Sequence, residues 1–200
     1  MHDNSIDRTT NGSGLVKNLE YKQLQEYFLV DDFGNQTKFK VPEFAAILKW
    51  AKKNEVVLTI DIKRSVAVED VVKAIKKSKA EDDSIIITYD LEQSLKTYKL
   101  APELMQSVSA RNQKEFDGLL ASGIPTKNML AFTGTRLSSY SLYKNIHSKG
   151  IRTILGTLGN LDNQAEARGD YLYNEWKEKG IDIFATDRPF EVAKTIKAYK

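Results

Sequence analysis

From residue 56 onward one phrase repeats along the chain: a short apolar or β-branched run, a polar cluster, then a stretch with apolar residues at helical spacing. The runs are Val56 to Ile62, Ser84 to Tyr89, Leu104 to Ala110, Met129 to Thr133, Ile151 to Leu155 and Ile181 to Ala185, six in all and each about as long as a fully buried strand. Between the first two, Val68, Val71, Val72 and Ile75 fall at i, i+3, i+4 and i+7 and so share one helix face. Gly123-Ile124, Gly150-Ile151 and Gly180-Ile181 each set a glycine where a helix needs a left-handed cap and an apolar residue near the next strand. Their intervals of 27 and 30 residues match one βα unit. Asn112 with Glu115 reads as a capping box that opens the helix of Phe116, Leu119 and Leu120. Continuous apolar strands joined by helices require a parallel sheet covered on its faces, either a doubly wound open sheet or a (β/α)8 barrel, and periodicity alone does not choose.

The ends of the predicted strands carry the polar chemistry. Asp61, Lys63, Asp90, Arg111, Arg136, Thr157, Asp187 and Arg188 all lie at or just past a strand's C-terminal end, where parallel α/β folds place their active sites. Residues 1–41 differ in character: a turn-rich polar opening through Gly14, a short helical pattern from Tyr21 to Phe28, and a turn at Asp32-Phe33-Gly34-Asn35 that fits a hairpin. Pro42 then opens a helix in which Phe44, Ile47, Leu48 and Ala51 share a stripe. A covering helix thus precedes the first recognisable strand, an order that a parallel sheet does not normally produce.

Composition narrows the function classes. Thirty basic against 27 acidic residues leave a net charge of +3, too balanced for a chain whose main task is neutralising nucleic-acid phosphates, so no nucleic-acid partner is expected. The lysines between Lys49 and Lys79 read as wet helix faces. No cysteine is present, so disulfides, thiolate metal sites and cysteine nucleophiles are excluded. No run approaches the roughly 18 apolar residues of a membrane span, and the residues after Met1 lack the basic-then-apolar order of a signal peptide, which leaves the compartment open.

The opening His2-Asp3, followed by Asp7-Arg8-Thr9-Thr10-Asn11-Gly12-Ser13-Gly14, resembles the HD and DRTTNGxG signature of the glycerophosphodiester phosphodiesterase family. Further motifs follow in the family's order: Val41-Pro42-Glu43-Phe44 with Leu48, Leu58-Thr59-Ile60-Asp61-Ile62-Lys63, Ile85-Ile86-Ile87-Thr88-Tyr89-Asp90, and the closing Gly180-Ile181 through Asp187-Arg188-Pro189. The resemblance covers essentially the whole chain. It implies an α/β fold of the TIM-barrel type, a (β/α)8 barrel reduced here to about six parallel strands, with residues 1–41 as the remainder of an inserted segment and 42–200 running from the second barrel helix to the last. The helix-first order is then accounted for. It also implies that the family's first strand with its His-Arg-Gly motif and second strand with its Glu-x-Asp metal motif lie outside this chain, as they would if the chain began late, at an internal methionine.

The resemblance assigns roles to three residues. His2 matches a family acid–base histidine, and imidazole suits proton transfer near neutral pH. Asp61 matches a metal carboxylate that is normally glutamate, one methylene longer, so it is expected to help hold Mg2+ or Ca2+ in the complete family site. Lys63 lies two residues on, shares the strand face of Asp61, and is expected to pair with the phosphate of a small-molecule phosphodiester. The family reaction, in which a glycerol hydroxyl is thought to attack phosphorus, releases an alcohol and glycerol 3-phosphate, and little turnover is expected of this chain alone. Departures bear on the alcohol: Thr88-Tyr89 stands where many relatives have Ser-Phe, and Gly156-Thr157-Leu158-Gly159 replaces a tryptophan-containing motif. That stretch is no dinucleotide fingerprint. His147, near a helix end, is expected to be structural. The alternative is a non-catalytic fragment or binding remnant that self-associates, or docks a complementary segment, through exposed sheet edges. A third reading takes six strands as a complete open sheet.

Overall fold

The six apolar runs form six parallel strands: β1 (Leu58–Ile60), β2 (Ser84–Thr88), β3 (Met105–Ser109), β4 (Met129–Phe132), β5 (Arg152–Gly156) and β6 (Ile183–Ala185). The structure is a computed structural model and describes residues 1–197; residues 198–200, the end of the expected 42–200 segment, lie outside the described residues. The strands are shorter than the apolar runs, because residues such as Val56 and Ile181 lead into a strand without joining its ladder. Their order in the sheet is β1-β2-β3-β4-β5-β6, that of the sequence. A doubly wound sheet reverses direction at a switch point. This one does not, and it curls as a half-barrel, which rules out the complete open sheet.

The chain divides into two compact units, Met1–Ile47 and a second from Leu48 onward. The first holds α1 (Tyr21–Leu24), and α2 (Phe44–Lys53) spans the division. Pro42 lies two residues ahead of α2 rather than in its first turn, which begins with the Glu43 carbonyl accepting from Ala46 and Ile47. In the second unit α3 (Val68–Ser78), α4 (Leu91–Leu100), α5 (Gln113–Ala121) and α6 (Tyr140–His147) each follow one of the first four strands. Two helices, α7 (Asn160–Arg168) and α8 (Leu172–Glu178), lie between β5 and β6, and α9 (Pro189–Lys197) comes last.

Burial follows the alternation of strand side chains. Val108 and Ala131 pack with Phe116, Leu119, Leu142 and Ile146 in one helix-facing cluster, and Leu155 joins Tyr143, Leu161, Tyr173, Trp176 and Ile181 in a second. On α3 the buried residues are Val71, Val72 and Ile75, as the spacing requires. The opposite sheet face carries Ile85, Leu130, Ile154 and Ile183 around a cleft of about 750 Å³. The N-terminal caps supply the unpaired amides of the first helical turns: the side chains of Asp90, Asn112 and Ser139 accept from Gln93, Glu115 and Leu142. The capping box expected at Asn112 closes only by half. The Glu115 carboxylate accepts from the Arg111 amide, at 2.8 Å, and not from that of Asn112.

Candidate functional site

Just past the C-terminal end of β1, Asp61 and Lys63 both line a cleft of about 790 Å³. Lys63 is half-buried and Asp61 exposed. On the neighbouring strand end Tyr89 has the same parity, and its hydroxyl donates to Asp61 Oδ1 at 2.9 Å. Burial first, and then the Asp61 carboxylate, push the Tyr89 hydroxyl above its ordinary range, so it stays a donor. Two departures from the family pattern, a shorter carboxylate and a tyrosine in place of phenylalanine, therefore meet in one hydrogen bond. Either residue alone gives no hint of this pairing; the signal lies in the parity of two adjacent parallel strands.

The remaining rim residues sort by their partners. Asp90 is occupied as the cap of α4. Thr157 is fully buried and bonds the Ala185 carbonyl through both its amide and its hydroxyl. The Arg111 guanidinium is held by Glu115, with its Nη2 donating at 2.8 Å and its Nε at 3.0 Å. Arg136 is exposed and enters no ion pair among the described residues.

The closing Thr186-Asp187-Arg188 motif is fastened to a buried acid absent from the sequence-based candidates. Asp162, in the first turn of α7, accepts from the Tyr173 hydroxyl at 2.9 Å, the Thr186 hydroxyl at 2.9 Å and the Asp187 amide at 2.8 Å. Burial alone would push its carboxyl up, but these hydrogen bonds outweigh it and hold the group below the usual carboxylate range. Arg188 completes the fastening with a 2.7 Å bond to Asp170.

In the N-terminal unit the DRTTNGxG stretch is a folded support. The Thr10 hydroxyl donates to the Ile6 carbonyl at 2.8 Å, and the Asn11 side-chain oxygen accepts from the Phe28 amide, also at 2.8 Å. A Cβ on Gly12 would lie 2.4 Å from the Tyr27 ring, so only glycine lets the two segments approach. At its start, His2 Nδ1 lies 2.8 Å from Asp3 Oδ1, and Arg8 Nε donates to Asp3 Oδ2 at 2.6 Å. The Arg8 guanidinium, and after it His2, hold the Asp3 carboxyl far below its ordinary range. An ionised Asp3 carboxylate accepts from His2 Nδ1 in the tautomer that carries its proton there.

His147 is structural: its Nε2 lies 2.8 Å from Asp182 Oδ2, which also accepts from the Thr153 amide at 2.7 Å, at the N-terminal end of the sheet. Among the described residues no group of three or more histidine or acidic side chains is placed to hold a metal ion. Asp61 offers one carboxylate with one oxygen already engaged, whereas Mg2+ or Ca2+ takes six or more oxygen ligands. The residues present do not by themselves make a cation cage.

Comparison with known proteins accords with this architecture. The chain is 28% identical over 114 residues to the uncharacterized protein YqiK of Bacillus subtilis (strain 168), and 28% identical over 112 residues to a glycerophosphodiester phosphodiesterase of Caldanaerobacter subterraneus subsp. tengcongensis. These matches take in 54% and 52% of this chain but only 47% and 45% of the relatives, so the matched part is about half of each. A crystal structure of a glycerophosphoryl diester phosphodiesterase from Parabacteroides distasonis superposes with a TM-score of 0.90 at 26% identity, covering 100% of this chain and 70% of that one. An Oleispira antarctica phosphodiesterase, solved in complex with the product sn-glycerol-3-phosphate, shares the fold with a TM-score of 0.74 at 16% identity, covering 98% of this chain and 78% of that one. The family model of the glycerophosphoryl diester phosphodiesterases matches residues 1–166, and with the half-barrel and its rim it establishes that the chain belongs to that family.

Proposed function

We propose that this chain contributes the phosphate-binding and one proton-transfer element of a phosphodiesterase that cleaves glycerophosphodiesters to an alcohol and glycerol 3-phosphate, a step of lipid metabolism. The observation that supports it is that Lys63 and Asp61 line a single cleft just past a strand's C-terminal end. Lys63 supplies an ammonium for a phosphoryl oxygen. Residues 1–41 act as the remainder of the family's inserted segment and present His2, whose Nε2 takes or returns a proton while Asp3 holds Nδ1. Cleavage needs a proton removed from the attacking hydroxyl and another given to the leaving alcohol. The chain has two histidines, and His147 is committed to Asp182. With one of the two proton-transfer groups, the chain alone turns over weakly. Asp61 can lend one ligand to Mg2+ or Ca2+ in a complete family site.

The half-exposed sheet face favours a second reading, a non-catalytic fragment that associates with a second copy of itself. The first reading is tested by titrating the chain with glycerol 3-phosphate, followed by calorimetry, and by assaying choline release from glycerophosphocholine with Mg2+ or Ca2+. Binding is expected to weaken at least about tenfold in Lys63→Ala, the worth of a charge-assisted contact, and choline release is expected to be slight. Unchanged affinity in that variant removes the phosphate-binding role, and turnover at the level of whole family enzymes removes the claim of weak activity.

A further inference from the structure

Neighbouring clefts along the rim share walls. Tyr89 and Asp90 wall both the Lys63 cleft and the next one, and Arg111 and Asn112 wall that one and a third, of about 490 Å³, between the ends of β3 and β4. In the middle stretch the Asp90 and Glu115 carboxylates are already engaged, by the Gln93 amide and by Arg111. The third cleft has a distinct chemistry: no acidic and no aromatic side chain lines it, while Arg111, Arg136 and several hydroxyls do. It is also held in shape. Arg111 is chelated by Glu115, and its Cγ would lie 3.5 Å from a Cβ on Gly134, whose φ is +98°. The loop beyond is braced by the Ser138 amide donating to the Tyr143 hydroxyl at 2.9 Å. Arg136 supplies a charge with no ion-pair partner among the described residues, and the first turn of α6 faces the cleft through Ser139 and Leu142.

Resting on the reading of Lys63 as the diester's phosphate ligand, we propose that this cleft takes a phosphate carried by the leaving alcohol, so that the preferred substrates are glycerophosphodiesters of phosphorylated polyols. A quaternary ammonium would find neither the carboxylate nor the aromatic face that usually receives it. A phosphomonoester finds a planar guanidinium and hydroxyl donors. From β1 to β4 there are three interstrand spacings, about 14 Å, the span that such a substrate has to bridge.

The test compares the dissociation constants of glycerophosphoinositol 4-phosphate and glycerophosphocholine on the 200-residue chain, with glycerol 3-phosphate and inorganic phosphate measured alongside. The phosphorylated diester is expected to bind roughly tenfold tighter than the choline diester, as one charge-assisted contact supplies. In Arg136→Gln the ratio is expected to fall to about one, and a general loss of folding would move both constants together. A wild-type ratio near one, or one that survives the substitution, overturns the proposal. So does inorganic phosphate binding as tightly as the diester with the same dependence on Arg136, which would mark a free-phosphate site. Failure to bind glycerol 3-phosphate, or binding indifferent to Lys63→Ala, instead overturns the reading on which the proposal rests.

Discussion

Asp162 is an acid whose stabilising role depends on remaining charged. Its carboxylate takes three donors from α8 and the segment after β6, and so fixes the start of α9. Because its folded pKa is depressed, it favours the folded state at neutral pH, and this contribution is lost as pH falls from about 4 through the lower folded value. Asp162→Asn is expected to lower stability at pH 7 by about 1–3 kcal/mol, since an amide cannot accept as many bonds and leaves donors unpaired. It should also flatten the acid limb of a urea-denaturation series across pH, and a variant with the wild-type acid limb would refute this account. The sequence offered Thr186 to Arg188 as a motif but held no reason to look at Asp162, because Thr186 and Asp187 lie 24 and 25 residues from it in the chain and meet it only once the sheet is built. That Asp61 and Lys63 share a cleft was legible because they lie two residues apart at a predicted strand end. Tyr89 as a partner of Asp61 was not, since its role depends on which strand lies beside β1.

The elements themselves followed from short-range patterns. The glycines at 123, 150 and 180 take positive φ, and Ile124, Ile151 and Ile181 beside them are buried. Two helix ends escaped this rule. Lys79, the cap of α3, and Glu55, just past α2, also have positive φ, at 51° and 56°. A lysine or glutamate carries no mark of a left-handed cap, because the side chain is tolerated there at some energetic expense and not selected for it. Lys79 is exposed, and its carbonyl accepts from the Lys52 ammonium at 2.5 Å, a bond that a substitution at the side chain leaves intact. Lys79→Gly is accordingly expected to stabilise the protein by about 0.5–1 kcal/mol, read as a higher urea midpoint with an unchanged slope. A lower midpoint would show that the lysine side chain matters more than its backbone strain.

At the scale of the molecule, fold class was legible and closure was not. Periodicity left open sheet and barrel as equals; the ladder order, a matter of long-range pairing, decided between them. The sheet face away from the helices leaves Ile85, Ile87, Phe132 and Ile183 only half-buried, and Ile85 and Ile183 line the 750 Å³ cleft. A surface of that kind is one that proteins tend to cover, and a net charge of +3 does little to keep two copies apart. Sedimentation velocity over a concentration series is expected to show reversible self-association, weakened in Phe132→Ser, and a single monomeric species at all concentrations would count against it.

The succession of ladders has a further consequence for how such a molecule is put together. Each strand rests against the one made just before it, so every new βα segment can dock on a finished margin with little loop to close. Growth by accretion of this sort tolerates pauses: a nascent chain would at each stage offer a ready template to the following segment, and the same property lets a lineage add or shed whole segments at a margin without rethreading what remains.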